Sequence, residues 1–512
     1  MRSDNPMSQV IIAGAGPTGL TLAAELRRGG IDVLLLEQRS HRSVDGSRAA
    51  GMQPRTLEML DQRGIADRFL AEGPPAPDLS SFAGITVDYS ALPSRFPYLL
   101  NIFQADAERL LEDVAAELGA PVRWSTVVTG VEQDATGVDV AVDGPAGPAT
   151  LRGSYLVACD GGRSTIRKLT GVAFPGTDAT TVSLTGDVEL DDPPPRRLFL
   201  DRRELGTISA MQFRPGWFRV QTSESERRAA PDAPVTIEEL RASARRVAGT
   251  DFGMHSPRWL SHFNDATRQV ERYRIGRVLL AGDAAHIHFP YGGQGMNMGM
   301  QDAFNLGWKL AAVLRGEAAA ALLDTYHEER HAVGAATLKL TRAQSVLLGP
   351  GEPVSELHAV FTRLIGMNEV NAYLAATLSG LDIRYSGTGT HPLLGRRVPD
   401  AEIDTGSETA TIHRLMRSAK PVLLHLSGEA TFADAVAGWT ERITIVTATT
   451  TAPWALADGS TVAAPSAVLI RPDGYIAWVS EGAPDLEALR EALTIWCGVA
   501  DRTGQLPSLS RQ

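Results

Sequence analysis

Six residues near the start, Gly14-Ala15-Gly16-Pro17-Thr18-Gly19, constrain the fold more than any other stretch of the chain. They stand between a short apolar run, Ser8–Ala13, and a run with helical spacing, Pro17–Arg28, which Gly29 and Gly30 stop. Residues 32–36 follow as an unbroken apolar run, the pattern of a strand buried on both faces of a parallel sheet. Strand, glycine turn, helix and strand in that order make a Rossmann-like α/β unit. The first glycine permits the tight turn. The second lets the backbone approach a pyrophosphate, and the third lets helix and strand pack closely. Glu37 lies 23 residues after Gly14, at the end of the second strand. A carboxylate there accepts hydrogen bonds from ribose hydroxyls and repels a 2′-phosphate, so the unit suits FAD or NAD better than NADP. Pro17 and Thr18 in the turn, and Gln38 and Arg39 after the strand, join Gly14, Gly16, Gly19 and Glu37 as cofactor-contact candidates.

Two more loops pair an acid with glycine. One is residues 159–167, with Asp160 and Gly161; the other is residues 280–286, with Gly282 and Asp283. Each follows an apolar strand and so belongs at the carboxyl edge of the sheet, where cofactors sit in open α/β folds. The second continues through Pro290 and Gly292-Gly293-Gln294-Gly295-Met296-Asn297 into a helix. A glycine-rich backbone meeting a helix N-terminus can hold developing negative charge. Read singly, each loop is also a plain turn, and Asp160 is equally a cap for the helix after it. His286 and His288 are read as hydrogen-bonded loop residues before they are read as acids or bases.

Length then sets the number of units. At 512 residues the chain exceeds one core, since cores stop growing at roughly 250–300 residues. With 43% hydrophobic and 21% charged residues it is a soluble globular chain. A net charge of −11 argues against a nucleic-acid partner, and no apolar run is long enough for a membrane span. Two cysteines, Cys159 and Cys497, exclude a disulfide framework or cysteine zinc site and fit a reducing cytoplasm; no metal is expected. The pattern divides into residues 7–176, residues 177–274 with short alternating strands, residues 275–385 with long helices, a Gly- and Pro-rich linker at 386–400, and residues 401–512.

The motifs GAGPTGL, SRAAGMQPRTLEML, NIFQADAERLLE, ACDGGRSTIRK and AGDAAHIHFPYGGQGMNMGMQDAFNLGWKL, in that order, resemble the class A flavoprotein monooxygenases, the family of para-hydroxybenzoate and phenol hydroxylases. Within it the likeness is to actinobacterial aromatic polyketide hydroxylases and rifampicin monooxygenases. The resemblance implies a discontinuous Rossmann-like FAD-binding domain of the para-hydroxybenzoate hydroxylase type. An inserted mixed β-sheet would bind substrate. It implies that Gly14, Gly16 and Gly19 face the FAD pyrophosphate and Glu37 the adenosine ribose. Arg48 would lie near the ribityl–phosphate, Gln104 on the ribityl chain, and Gly282-Asp283 against a ribityl hydroxyl. Asp160 and Gly161 would serve both FAD and NAD(P)H. Pro290, Gly293, Gln294, Gly295, Met296 and Asn297 would line the isoalloxazine. Pro290, Gly293 and Arg48 carry positioning roles in catalysis, and no acid/base residue is assigned. Bland readings stay open: Arg48 as a surface ion pair and Gln104 as a strand-end amide.

The implied chemistry is reduction of FAD by NADPH or NADH, reaction with O₂ to a C4a-hydroperoxyflavin, and hydroxylation of an aromatic polyketide-type phenol. Met211, Phe213, Trp217 and Arg219 are the substrate-wall candidates, against an ordinary alternating strand core. Baeyer–Villiger or ring-opening oxygenation is the alternative on the same scaffold. A non-catalytic flavin sensor or drug-binding protein is the alternative of another class. Halogenation is disfavoured because the W-x-W-x-I-P signature is absent.

The C-terminal segment around residues 467–478 resembles the thioredoxin-like domain of phenol hydroxylases. Thioredoxin chemistry needs two thiols in C-x-x-C, and only Cys497 is present here. The domain is therefore assigned to packing or to the contacts of a homodimer.

Overall fold

The computed structural model describes residues 8–42, 49–225, 234–386, 389–426, 432–450 and 452–501. The chain opens as β1 (Ser8–Ala13), α1 (Pro17–Arg28) and β2 (Val33–Leu36). Strand β3 (Leu100–Phe103) runs directly into α2 (Gln104–Glu117). After a hairpin come β4 (Gly147–Ala158) and the short helix α3 (Thr165–Thr170). The middle region folds as β5 (Val182–Leu190), β6 (Leu198–Arg203), β7 (Gly206–Arg214), β8 (Trp217–Glu224), α4 (Ile237–Ala248) and β9 (Met254–Asn264). Strand β10 (Val278–Leu280) returns to the first sheet, followed by the long helices α5 (Gln294–Leu314) and α6 (Asp324–Leu347). Two further helices, Glu352–Ile365 and Asn368–Ser379, break at Gly366.

In the first sheet β10, β4, β1 and β2 are neighbours and parallel. Register places Ala13 beside Ala158 and Ala158 beside Leu280, so the three strands end level. The ladder runs on into the loops: Cys159 N–H donates to Ala13 O at 2.8 Å and Ala281 N–H to Ala158 O at 3.0 Å. The three glycine-acid loops therefore leave one sheet edge side by side. The continuous apolar runs are explained by burial: Val10, Ile11, Ile12, Leu156, Val157, Leu279 and Leu280 are all 0% exposed.

The middle sheet is antiparallel, in the order β6-β7-β8-β5-β9. Helix α4 covers one face through Leu240, Ala244 and Val247; a capping box at Thr236 and Glu239 starts it.

The C-terminal domain has a four-stranded sheet of β11 (Val422–His425), β12 (Thr444–Thr447), β13 (Ala467–Ile470) and β14 (Ile476–Ser480), in the order β12-β11-β13-β14. Strands β11 and β12 are parallel and the rest antiparallel, with α9 (Leu486–Cys497, numbered after the two helices at 352–379) on one face. This is a thioredoxin-like arrangement. Residues 389–400 pack onto it, since Leu393 and Val398 belong to its core. No helix among the described residues is long and apolar enough to cross a membrane.

Candidate functional site

The three loops touch. Gly14 has φ +105, and a Cβ there would sit 2.2 Å from the carbonyl oxygen of Cys159, so only glycine fits. A Cβ on Gly19 would meet Gly14 O at 1.9 Å, which is the close helix–strand approach expected of the third glycine. Thr18 directs its side chain to Gly282 and Gly299, tying the first loop to the third and to α5. Gly16 is different: a Cβ there meets nothing within 4 Å, and no side chain caps α1 at this residue. The second glycine thus opens onto free space beside a helix N-terminus, the shape and polarity a phosphate needs. Gly161 and Gly293 also face open space.

Beside the first loop Glu37 is buried, and its carboxylate accepts from Ala15 N–H and Arg39 N–H, each at 2.9 Å. Arg39 bridges Glu37 to Glu108. Burial pushes the Glu108 carboxyl up, while Gln104 and Arg39 oppose it. Gln104 is the first residue of α2; its Nε2 donates to Glu108 at 2.7 Å, and its backbone N–H donates to Ala49 O. Gln38 is exposed. Arg48 lies outside the described residues.

In the second loop Asp160 caps α3, accepting from Ile166 N–H at 3.1 Å and from the Ser164 hydroxyl. Burial raises its carboxyl despite those bonds. Arg167, which sequence reasoning passed over, donates to Ala284 O at 2.9 Å and Gly162 O at 2.7 Å, and so clamps the second loop to the third.

In the third loop Asp283 is exposed, and its carboxylate lies 3.8 Å from where a Gly295 Cβ would stand. His288 Nε2 is 3.7 Å from the same point and has no hydrogen-bond partner among the described residues, while Nδ1 pairs with Phe289 O at 2.7 Å. Burial pulls the His288 pKa down, which favours the neutral ring. Pro290 is exposed, and Gly292 and Gly293 have φ +79 and +63. Asn297 is buried and holds the loop shut against Gly51, Gln53 and Gly293. Gln294 likewise bonds Gly292 O and Leu378 O. Met296 is partly buried against the main core. The side chains of Asn297 and Gln294 therefore shape this loop, and Gly293 and Gly295 present its backbone to the groove.

Behind the loops lies a set of buried charges that sequence reasoning missed. Asp302 of α5 meets His286 at 2.8 Å and Arg330 of α6 at 2.7 Å. Burial works against the Asp302 carboxylate, but Arg330 and His286 outweigh it and hold its pKa low. His286 is thus part of the frame. Further along α5, Lys309 and Asn305 reach Glu329, which also pairs with Arg471 of the C-terminal domain at 2.8 Å. Arg471 pairs in turn with Asp473. Arg55 donates to Asp473 O and Arg63 to Pro472 O, each at 2.8 Å. The turn at 471–474 is in this way plugged into the first domain. A second knot joins His413 to Asp61 at 3.3 Å and Asp400 at 3.6 Å, with Arg95 on the other oxygen of Asp61. The available signal was the row of polar residues Gln301, Asp302, Asn305 and Lys309 at helical spacing in an otherwise apolar helix.

On the middle sheet, Met211 and Arg219 are opposite one another on the face away from α4. Arg219 is buried, pairs with Asp187 at 2.7 Å, and lies over Phe103, Phe213 and Trp259. Phe213 packs with Ala76, Leu79 and Leu99. Trp217 is at the strand end, beneath Arg258. The sheet thus brings Met211, Phe213 and Arg219 together and leaves Trp217 at the strand end.

Comparison with known proteins adds what geometry alone does not. Residues 7–341 match the family model of an FAD binding domain, and residues 391–500 that of an aromatic-ring hydroxylase C-terminal domain. The chain is 45% identical to the 12-dehydrotetracycline 5-monooxygenase/anhydrotetracycline 6-monooxygenase of Streptomyces rimosus, covering 96% of this chain and 98% of that protein. It is 40% identical to a rifampicin monooxygenase of Streptomyces venezuelae, over 96% and 99% of the two chains. The solved structure of the anhydrotetracycline hydroxylase OxyS from Streptomyces rimosus superposes with a TM-score of 0.90 at 44% identity, covering 97% of this chain and all of that one.

Proposed function

Because the chain belongs to the FAD-dependent aromatic-ring monooxygenases, we propose that it adds one oxygen atom from O₂ to a phenolic polycycle of polyketide type, with NADPH or NADH as donor. The observation that carries the reading is the meeting of three loops at one sheet edge, where Gly16, Gly161 and Gly293 each face open space. The named relatives, whose substrates are tetracyclines and rifampicin, support the substrate class.

Bound FAD supplies hydride acceptance and oxygen activation there. The residues do the rest. Gly14, Gly16 and Gly19, with Pro17 and Thr18, form the turn that brings the α1 N-terminus to the pyrophosphate. Glu37, set by Ala15 and Arg39, offers its remaining lone pairs to the ribose. Asp283 and Gln104 would hold the ribityl chain, and residues 290–297 would present their backbone to the isoalloxazine edge. The α5 N-terminus at Gly293, with no side-chain cap, stabilises negative charge at that edge. Residues 7–176 and 275–385 form the cofactor domain, and residues 177–274 the substrate domain. Two unpaired, buried cysteines support action in a reducing cytoplasm.

The test is product mass spectrometry under labelled O₂ with a panel of tetracyclic and macrocyclic phenols. One labelled oxygen in a phenolic product is expected. NAD(P)H consumption without any labelled product across the panel would remove the proposal.

A further inference from the structure

Helix α7 (Glu352–Ile365) is anchored along one side only. On that side His358 Nε2 pairs with Ala83 O at 3.1 Å, Ser355 Oγ accepts from Arg202 Nη2 at 3.2 Å, and the Phe361 ring stacks on Phe82 with centroids 6.4 Å apart. Ile365 ends the helix as its one buried residue. The side turned away is apolar as well. Leu357, Val360 and Leu364 are 43%, 51% and 36% exposed. Spacings of three and four residues set them on a single stripe. Val346, just before the helix, and Met367, just after it, are exposed too. Large apolar residues exposed singly are ordinary, but a row of them rimmed by charge marks an interaction surface.

The rim says what the surface fits. Glu352, Glu356 and Arg363 fall at helical spacing along one border of the stripe, and all three are exposed. Among the described residues their side chains have no hydrogen bond or ion pair within the chain. Acid stands at the front of the helix and base at the back. Glu356 and Arg363 lie evenly about Val360, and so do Leu357 and Leu364. A two-fold axis at Val360, perpendicular to the helix, therefore sets Val360 on its own mate and Leu357 on Leu364 of a second copy. It also sets Glu356 beside Arg363 of that copy, once on each side of the axis. A parallel pairing would instead place Glu356 against Glu356. The stripe and its rim are thus complementary to themselves, the property a two-fold interface requires.

We propose that α7 is a homodimer contact, occupied by α7 of a second copy of this chain in antiparallel packing. The dimer contact then lies on this helix and not on the C-terminal domain. A helix of this length is about 21 Å long. A strip of that size falls short of the ~800 Å² per partner of a lasting interface, so the pair exchanges with monomer in the micromolar range. None of the cofactor-contact residues is on α7, and the pairing stands apart from the oxygenase reading.

The experiment is sedimentation velocity of the full FAD-loaded chain from about 1 to 100 µM, a range set by that affinity. A reversible monomer–dimer equilibrium is expected. Val360→Asp brings two carboxylates face to face at the axis and should raise Kd by at least ~10-fold. Glu356→Arg and Arg363→Glu should each weaken the dimer about 10-fold, because each sets like charges together at two symmetric places. The double variant Glu356→Arg/Arg363→Glu restores opposite charges and should return Kd to within about threefold of the parent. Flavin content and melting temperature read on the monomeric variants should match the parent, since every substituted side chain is exposed. A protein that stays monomeric throughout, a dimer that Val360→Asp leaves intact, or a charge swap that fails to rescue would each overturn the pairing. A monomer that binds phosphatidylcholine vesicles through the same stripe would assign it to a lipid surface and overturn it too.

Discussion

At its N-terminus, helix α5 leaves a loop where Gly293 would aim a Cβ into open space and Asp283 stands exposed. Further along the same helix, Asp302, Asn305 and Lys309 are 0% exposed and lie among Arg330, Glu329 and Arg471. Polar residues at the front shape a vacancy for a ligand, and polar residues at the back fasten one part of the protein to another. The difference separates two histidines that look alike in sequence. His286 belongs to the back, held between Asp302 and the core, and His288 to the front, with Nε2 beside Gly295.

If the contrast is right, the two regions fail in different ways. The largest effect is expected from Gly16→Val. The backbone there is extended at φ −80 and an added Cβ meets no protein atom within 4 Å, so the fold should survive while bound FAD drops to background. A yellow Gly16→Val protein with full flavin content would break the comparison at the front. Next comes Arg471→Ala, which leaves Glu329 and Asp473 buried without their partner. We expect a loss of ~3–5 kcal/mol in unfolding free energy, measured by denaturant melts, with flavin still bound to the folded fraction. Asp283→Ala should weaken FAD by ~1–3 kcal/mol, read by equilibrium dialysis, and leave thermal stability unchanged.

Acid sharpens the same point at the back. Burial opposes the Glu329 carboxylate, but Arg471 and Lys309 outweigh it and hold its pKa down at about 2, below the usual 4.5. A depressed carboxyl stabilises the fold above its ordinary value, and that contribution fades as pH falls from 4.5 toward 2. Glu329→Gln should flatten the decline over that window in a pH series of melts. The smallest effect concerns the thiols. Burial lifts Cys497 to about 12 and Cys159 well above its usual range, so neither should react with an alkylating reagent at neutral pH until the chain unfolds.

Much of the front was legible in sequence because backbone geometry demands particular residues. Gly14 is required by its φ and by the Cys159 carbonyl, and Gly19 by the Gly14 carbonyl, so the motif is a direct imprint of the turn. The level strand ends that gather the loops follow from three apolar runs of one kind. The back was not legible. Arg330, Glu329 and Arg471 acquire meaning from partners dozens to more than a hundred residues away, and no local rule names those partners. The neighbours of the candidate wall residues were not legible for a related reason. The strand pairing that sets Met211 opposite Arg219, and the register shift between Gln212 and Arg214 that lets Phe213 reach Ala76 and Leu99, depend on partner strands and not on local alternation. Helix α2 starts at Gln104, where a backbone bond from Gln104 N–H to Ala49 O fixes its entry, and that partner too lies far off in the chain.

The plugged turn at residues 471–474 has a consequence for inheritance and engineering. The thioredoxin-like domain has its own core and sheet, and would pass for a module that could be exchanged between relatives at the 386–400 boundary. Yet Arg55, Arg63, Asn305 and Glu329 all grip that one turn. A chimera joined at the boundary would bring together two halves whose charges had never been matched. Viable hybrids should therefore carry residues 55–63, α5, α6 and the turn from a single parent.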